Sequence, residues 1–131
     1  MLKTLHRWIC LTVLGISVSV LTGCIPLVLG AAAGAGGVAY VQGILQKNLD
    51  MPIDKLQGIS LDALKRLKMT VKEEKIEGTK SYIKAEDVDH AKINITIEKL
   101  TENSSKLNIR VGVFGNQTKS QMILNAIEKK L

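Results

Sequence analysis

The amino-acid sequence predicts an α+β domain over residues 38–131, a two-layer arrangement in which an antiparallel four- to five-stranded sheet carries two helices packed on one face. Three observations predict it. Ile93, Ile95 and Ile97 alternate with Asn94, Thr96 and Glu98, while Leu107, Ile109, Val111 and Val113 alternate with Asn108, Arg110 and Gly112. A period of two gives each strand one apolar and one polar face, so the sheet needs cover on one side only. Ile53 to Leu67, opened by Pro52, sets Ile53, Leu56, Leu64 and Leu67 on one helical face, with Ser60 in the same stripe. Thr118 with Gln121 three residues later reads as a capping box for a second helix running to about Lys130.

The chain of 131 residues begins with a leader. Met1 to Arg7 carries Lys3 and Arg7 and no acid, and Trp8 to Val20 is an apolar run short of the roughly 20 residues a spanning helix needs. Basic, apolar and then small residues in that order form a secretory signal peptide. Leu21-Thr22-Gly23-Cys24 closes it and resembles the lipobox of bacterial lipoproteins. That resemblance implies cleavage between Gly23 and Cys24, with the Cys24 thiol carrying diacylglycerol and the new amino terminus acylated. Acyl burial contributes about 0.8 kcal/mol per methylene, so two or more chains hold a protein on a membrane without a helix. An uncleaved signal anchor is the rival reading, since no charge lies between Arg7 and Lys47. Pro26 and the Gly/Ala-rich segment oppose it.

Cleavage leaves 108 residues with 16 Lys and Arg against 12 Asp and Glu. Cys10 departs with the leader and Cys24 is consumed by lipid, so the domain must hold together by its core alone. The charges are interspersed, and Tyr40, Tyr82 and Phe114 are the aromatics left. They make no stacking platform, so no nucleic acid is expected as a partner.

Residues 24–37 form the lipidated terminus and a tether. Gly30 and Gly34 have small-xxx-small spacing, and Gly34 to Ala39 matches G-x-G-x-x-A. The dinucleotide reading fails on context, because such glycines follow a strand and open a helix. Val38 to Leu49 then reads as one extended segment, a possible fifth strand. Gly58 weakens the first helix. Met69 to Glu77 is a charged strand, Gly78-Thr79 a turn, and Lys80 to Glu86 a strand with Ile83 and Ala85 on one side. Glu102-Asn103-Ser104-Ser105 reads as the loop between the two strongest strands. Ile123, Ala126, Ile127 and Leu131 are expected to face the sheet from the last helix, whose Lys129 and Lys130 suit its dipole.

Leu21 to Cys24, Gly30 to Gly37, Ala39-Tyr40-Val41-Gln42-Gly43 and Arg110-Val111-Gly112-Val113-Phe114-Gly115 occur in that order. In this the chain resembles a family of small, functionally uncharacterised bacterial lipoproteins, domain of unknown function 3568, over nearly its whole length. The resemblance implies an address and a fold, and no mechanism. A departure from the family pattern is the loop Asp87-Val88-Asp89-His90.

That loop is the one constellation to weigh as a site. Asp87, Asp89 and His90 offer three ligands where a closed zinc site wants four, and the same residues are ordinary turn formers. No metal or other cofactor is expected. His90 is the sole histidine after cleavage, no serine stands in a G-x-S-x-G elbow, and Glu73 and Glu74 point to opposite faces of a strand. No enzyme is expected either. Gly112 suggests a bulge or close backbone approach, and Gly115 a turn with positive φ. Phe114 either packs beneath the last helix or, if exposed, marks a contact surface.

The sequence therefore reads as a lipid-anchored cell-envelope protein that binds or scaffolds. Its partners are the membrane, through the lipid, and an unknown envelope protein. Ile25 after the lipidated cysteine, in place of the Asp that signals inner-membrane retention in many lipoproteins of two-membrane hosts, favours the outer membrane with the domain facing the periplasm. A periplasmic small-molecule or metal-binding module is the alternative, and an envelope hydrolase a weaker one.

Overall fold

A computed structural model describes residues 37–131. The expected signal peptide, the expected cleavage at Gly23–Cys24 and residues 24–36 of the expected tether lie outside the described residues. The elements run β1 (Val38–Val41), β2 (Ile44–Leu49), α1 (Ile53–Arg66), β3 (Thr70–Glu77), β4 (Lys80–Glu86), β5 (Lys92–Thr101), β6 (Ser104–Val111) and α2 (Gln117–Glu128). The strands form one antiparallel sheet in the order β1-β2-β6-β5-β4-β3. The fold is thus α+β with two helices, as expected, but the sheet has six strands where four or five were expected.

The extra strand comes from Val38 to Leu49, which is a hairpin rather than one extended segment. Val41 pairs with Ile44 across a two-residue turn, and Gln42 and Gly43 both have positive φ, at 51° and 81°. Positive φ at both central residues is the turn geometry that matches strand twist. Gln42 is a poor advertisement for it, since Asn or Asp usually stands there.

Strands β3 to β6 form a meander, and β2, which precedes α1 in the chain, pairs with β6 at the edge of that meander. Register aligns the core. Leu45 pairs with Ile109, Ile109 with Ile95 and Ile95 with Ile83, giving a buried row across four strands. Ile53, Leu56, Ser60, Ala63 and Leu64 of α1 and Ile123, Leu124 and Ile127 of α2 cover it. Ser60 is tolerated there because its hydroxyl donates to the Leu56 carbonyl at 2.8 Å. Leu131, expected to face the sheet, is 54% exposed, and Leu124 takes that role.

Two local expectations are corrected. Ser104 and Ser105 belong to β6, leaving Glu102 and Asn103 as the turn; the Ser105 hydroxyl is fully buried and donates to the Met51 carbonyl at 2.8 Å. The second helix is capped by Asn116 rather than Thr118. Asn116 Oδ1 accepts from the Lys119 backbone N–H at 3.0 Å, and Asn is at least as good a cap as Thr.

The edge strand β3 is charged and exposed apart from Val71, with a register shift between Val71 and Glu73. Such an edge resists pairing with other chains. Among the described residues no helix is long and apolar enough to cross a membrane. Gly58 lies within α1 with nothing near a Cβ placed on it. Gly58→Ala should therefore raise stability by about 0.5–1 kcal/mol, read as a higher urea midpoint.

Candidate functional site: an apolar tip at one end of the sheet

Gly112, with φ of 75°, ends the alternation of β6 one residue after Val111. Its N–H donates to the Lys92 carbonyl at 2.7 Å, and the chain then leaves the sheet. Val113, expected to continue the strand, is instead 73% exposed, and Phe114 is 93% exposed rather than packed beneath the helix. The Arg110 guanidinium donates to the Val113 carbonyl. Two residues later Asn116 caps α2. The exposed pair is thus fixed on both sides.

The strongest fixation comes from the opposite end of the described chain. Gly115, with φ of 85°, lies against Gly43 in the β1–β2 turn. A Cβ on Gly43 would stand 3.0 Å from the Phe114 carbonyl carbon, and one on Gly115 would stand 2.7 Å from the carbonyl carbon of Gly43. Backbones approach this closely only where neither residue has a side chain. The segments Ala39–Gly43 and Arg110–Gly115, far apart in sequence, meet at these two glycines.

The loop between β4 and β5 closes the same end. Asp87 takes its N–H to the Ala91 carbonyl at 3.0 Å, and its carboxylate accepts from the Val88 N–H at 2.7 Å. Lys119, in the first turn of α2, donates to both Asp87 and Asp89, the latter at 2.9 Å. A lysine near a helix N-terminus opposes the dipole, and these two carboxylates offset that. Asp89 is largely exposed, so its pair contributes little; the buried Asp87 carries the clamp. His90 turns away, its Nδ1 lying 2.6 Å from Glu86 Oε1. The candidate ligands Asp87, Asp89 and His90 therefore do not converge: Lys119 stands between the aspartates. Among the described residues no group of three or more His, Cys, Asp or Glu could hold a metal ion. Val88, between the aspartates, is 70% exposed.

The hydrogen bond from Lys119 holds the Asp87 carboxyl below its ordinary value, against partial burial, and the same bond raises Lys119. The Asp87 contribution to stability is present above the unfolded value of about 3.9 and fades as pH falls through the lower folded value. Asp87→Asn should cost about 1–2 kcal/mol at neutral pH, and the gap to wild type should close in acid. Urea midpoints across the acid range check this.

A groove of about 770 Å³ runs beside α2. Arg66, Leu67, Gln121, Met122, Asn125 and Lys129 are among the residues that line it. The Asn125 side-chain carbonyl accepts from the Gln121 amide at 3.0 Å. The groove is open.

Sequence reasoning singled out Phe114 but missed Gly43, Val88, Val113 and Lys119 as parts of this end. Gln42-Gly43 between two apolar runs was the available signal for the turn. Nothing local announces a Lys119–Asp87 pair across 32 residues.

What fold and site define together is a small α+β domain with a rigidly presented apolar tip. The chain matches the family described as Protein of unknown function (DUF3568) over residues 7–130, and it belongs to that family. No curated protein matches it.

Proposed function

We propose that this chain is a lipid-anchored cell-envelope protein, with Cys24 as the lipidated residue, and that its domain binds or scaffolds rather than catalyses. The observation that carries the binding role is the pair Val113–Phe114, left 73% and 93% exposed on a backbone that two glycines, a cap and an arginine hold in place. An exposed aromatic on a rigid support fits a contact surface, because little conformational entropy is lost when it docks. The anchor rests on Leu21 to Cys24 after a basic and apolar leader.

Intact mass of the membrane-extracted protein, wild type beside Cys24→Ala, tests the anchor. A chain that starts at Cys24 and carries acyl chains, both lost in the variant, is the expected result. A leader still attached to a wild-type chain without acyl mass would sink it. For the surface, Phe114→Ser should change stability by less than about 0.5 kcal/mol, as exposed substitutions do. The same substitution should raise protease access to residues 110–116 in intact envelopes, where a docked tip is shielded.

A ligand-binding module is the second reading, favoured by the groove beside α2. Native mass spectrometry of the extracted protein would reveal a retained small molecule, and Met122→Arg should expel it.

A further inference from the structure

We infer that the tip formed by Val113 and Phe114, with Val88 and Val41, seats on a bilayer bearing anionic headgroups. The inference rests on the proposed Cys24 anchor only for the nearness of that bilayer.

Four exposed apolar side chains gather at one end of the sheet from three separate segments. Val41 precedes the β1–β2 turn, Val88 lies in the β4–β5 loop, and Val113 and Phe114 follow β6; they are 49%, 70%, 73% and 93% exposed. These segments are tied together. Gly43 and Gly115 bring the first to the third, the Gly112–Lys92 hydrogen bond ties the third to β5, and Lys119 ties the β4–β5 loop to α2. The result is a set of single exposed apolar side chains at one end of the sheet. It suits the boundary between headgroups and acyl chains better than it suits a flat protein face, which would need complementary hollows.

Charge at this end favours a negative surface. Every carboxylate of the segment Glu86–Asp89 already has a partner: Glu86 has Lys72 at 3.6 Å and His90, while Asp87 and Asp89 share Lys119. Lys92 at the start of β5 and Lys68 before β3 have no carboxylate partner among the described residues. Basic residues near an anionic surface are drawn to it.

Reach permits the contact. Residues 24–37 number 14, and a fully extended chain of that length spans up to roughly 45–50 Å. The longest strand, β5 with ten residues, is about 33 Å long. Either end of the domain can therefore meet the membrane that holds the lipid, and at the tip Phe114, Val113 and Val88 are exposed further than Ile76 and Leu100 are at the other end. Tethering raises the effective concentration of lipid at the tip, so a weak intrinsic affinity suffices. With the tip seated, the polar face of the sheet, including Gln46, Asn94, Thr96 and Asn108, stays free for an envelope protein.

The chain has one tryptophan, Trp8, so the test replaces it with Phe and places a sole reporter either at the tip, Phe114→Trp, or on the open sheet face, Tyr82→Trp. The full-length proteins are extracted and reconstituted into vesicles of phosphatidylcholine, alone or mixed with phosphatidylglycerol. In the mixed vesicles the reporter at position 114 should shift its emission to shorter wavelength. There it should be quenched several-fold more by brominated acyl chains than the reporter at 82, and it should lose access to acrylamide. Phosphatidylcholine alone should give a weaker effect. A position-114 reporter open to acrylamide and unquenched by brominated lipid in both vesicles would overturn the inference. So would one shielded from acrylamide yet unquenched by brominated lipid, which would assign the tip to a protein contact. Equal quenching in both compositions would overturn the role of the unpaired lysines. Intact mass of the same samples reads Cys24 separately: lipid-buried emission at 114 from a chain that kept its leader would sustain the tip and sink the anchor.

Discussion

Gly115→Ala should lower the thermal midpoint more than any other single methyl added to this domain, with Gly43→Ala close behind. Two effects act at once. Each residue has positive φ, where an L side chain is strained by about 1–3 kcal/mol. Each also faces the other's backbone, so an added Cβ forces the β1–β2 turn away from the segment after β6, and overpacking of this kind costs about 1–3 kcal/mol more. For a domain of this size each kcal/mol moves the midpoint by about 4–8 °C. Gly78 is the control: its φ is 58°, but nothing lies within 4 Å of a Cβ placed on it. Gly78→Ala should therefore show the backbone strain alone, about 1–2 kcal/mol. Equal losses at Gly78 and Gly115 in a calorimetric comparison would mean that the glycine contact does not hold the tip.

Ile95→Ala should rank with it. Ile95 is 1% exposed and sits in the buried row between Ile83 and Ile109, within the core that the helices cover. Removing three carbons there loses transfer free energy and leaves a cavity that paired strands on either side cannot close, a cost of about 2–5 kcal/mol. Total stability for a small domain is about 5–15 kcal/mol, so this is a large share. The neighbouring Asn94→Ala lies on the exposed polar face and should stay within about 0.5 kcal/mol. Urea midpoints of the two variants, with unchanged slopes, check the contrast.

Much of this architecture is legible residue by residue. The isoleucines of β5 and the Leu107-Ile109-Val111 series of β6 announce strands because side chains alternate across a pleat, and the observed burial follows them. Ile53, Leu56 and Leu64 announce α1 by helical spacing, and all three are buried. Val38 to Leu49 was not legible as a hairpin, because the apolar residues run past Gln42-Gly43 without the Asn-Gly that usually marks such a turn. Ser104 and Ser105 read as loop residues for a sound local reason, since serine favours turns. The Met51 carbonyl, 54 positions away, supplies the partner that lets Ser105 be buried in a strand.

By itself the sequence determined most of the strands and both helices, the apolar face of each, and that no described helix is long and apolar enough to cross a membrane. Those properties depend on backbone sterics and on the partition of side chains from water, which act over a few residues. Only the tertiary structure decided that β2 lies beside β6, and hence that Gly43 meets Gly115. That contact turns Phe114 outward. The same packing brings Lys119 between Asp87 and Asp89, converting two of the three candidate ligands into a clamp. Exposure and pairing at this end depend on which distant segments arrive there, and local pattern does not encode the arrival.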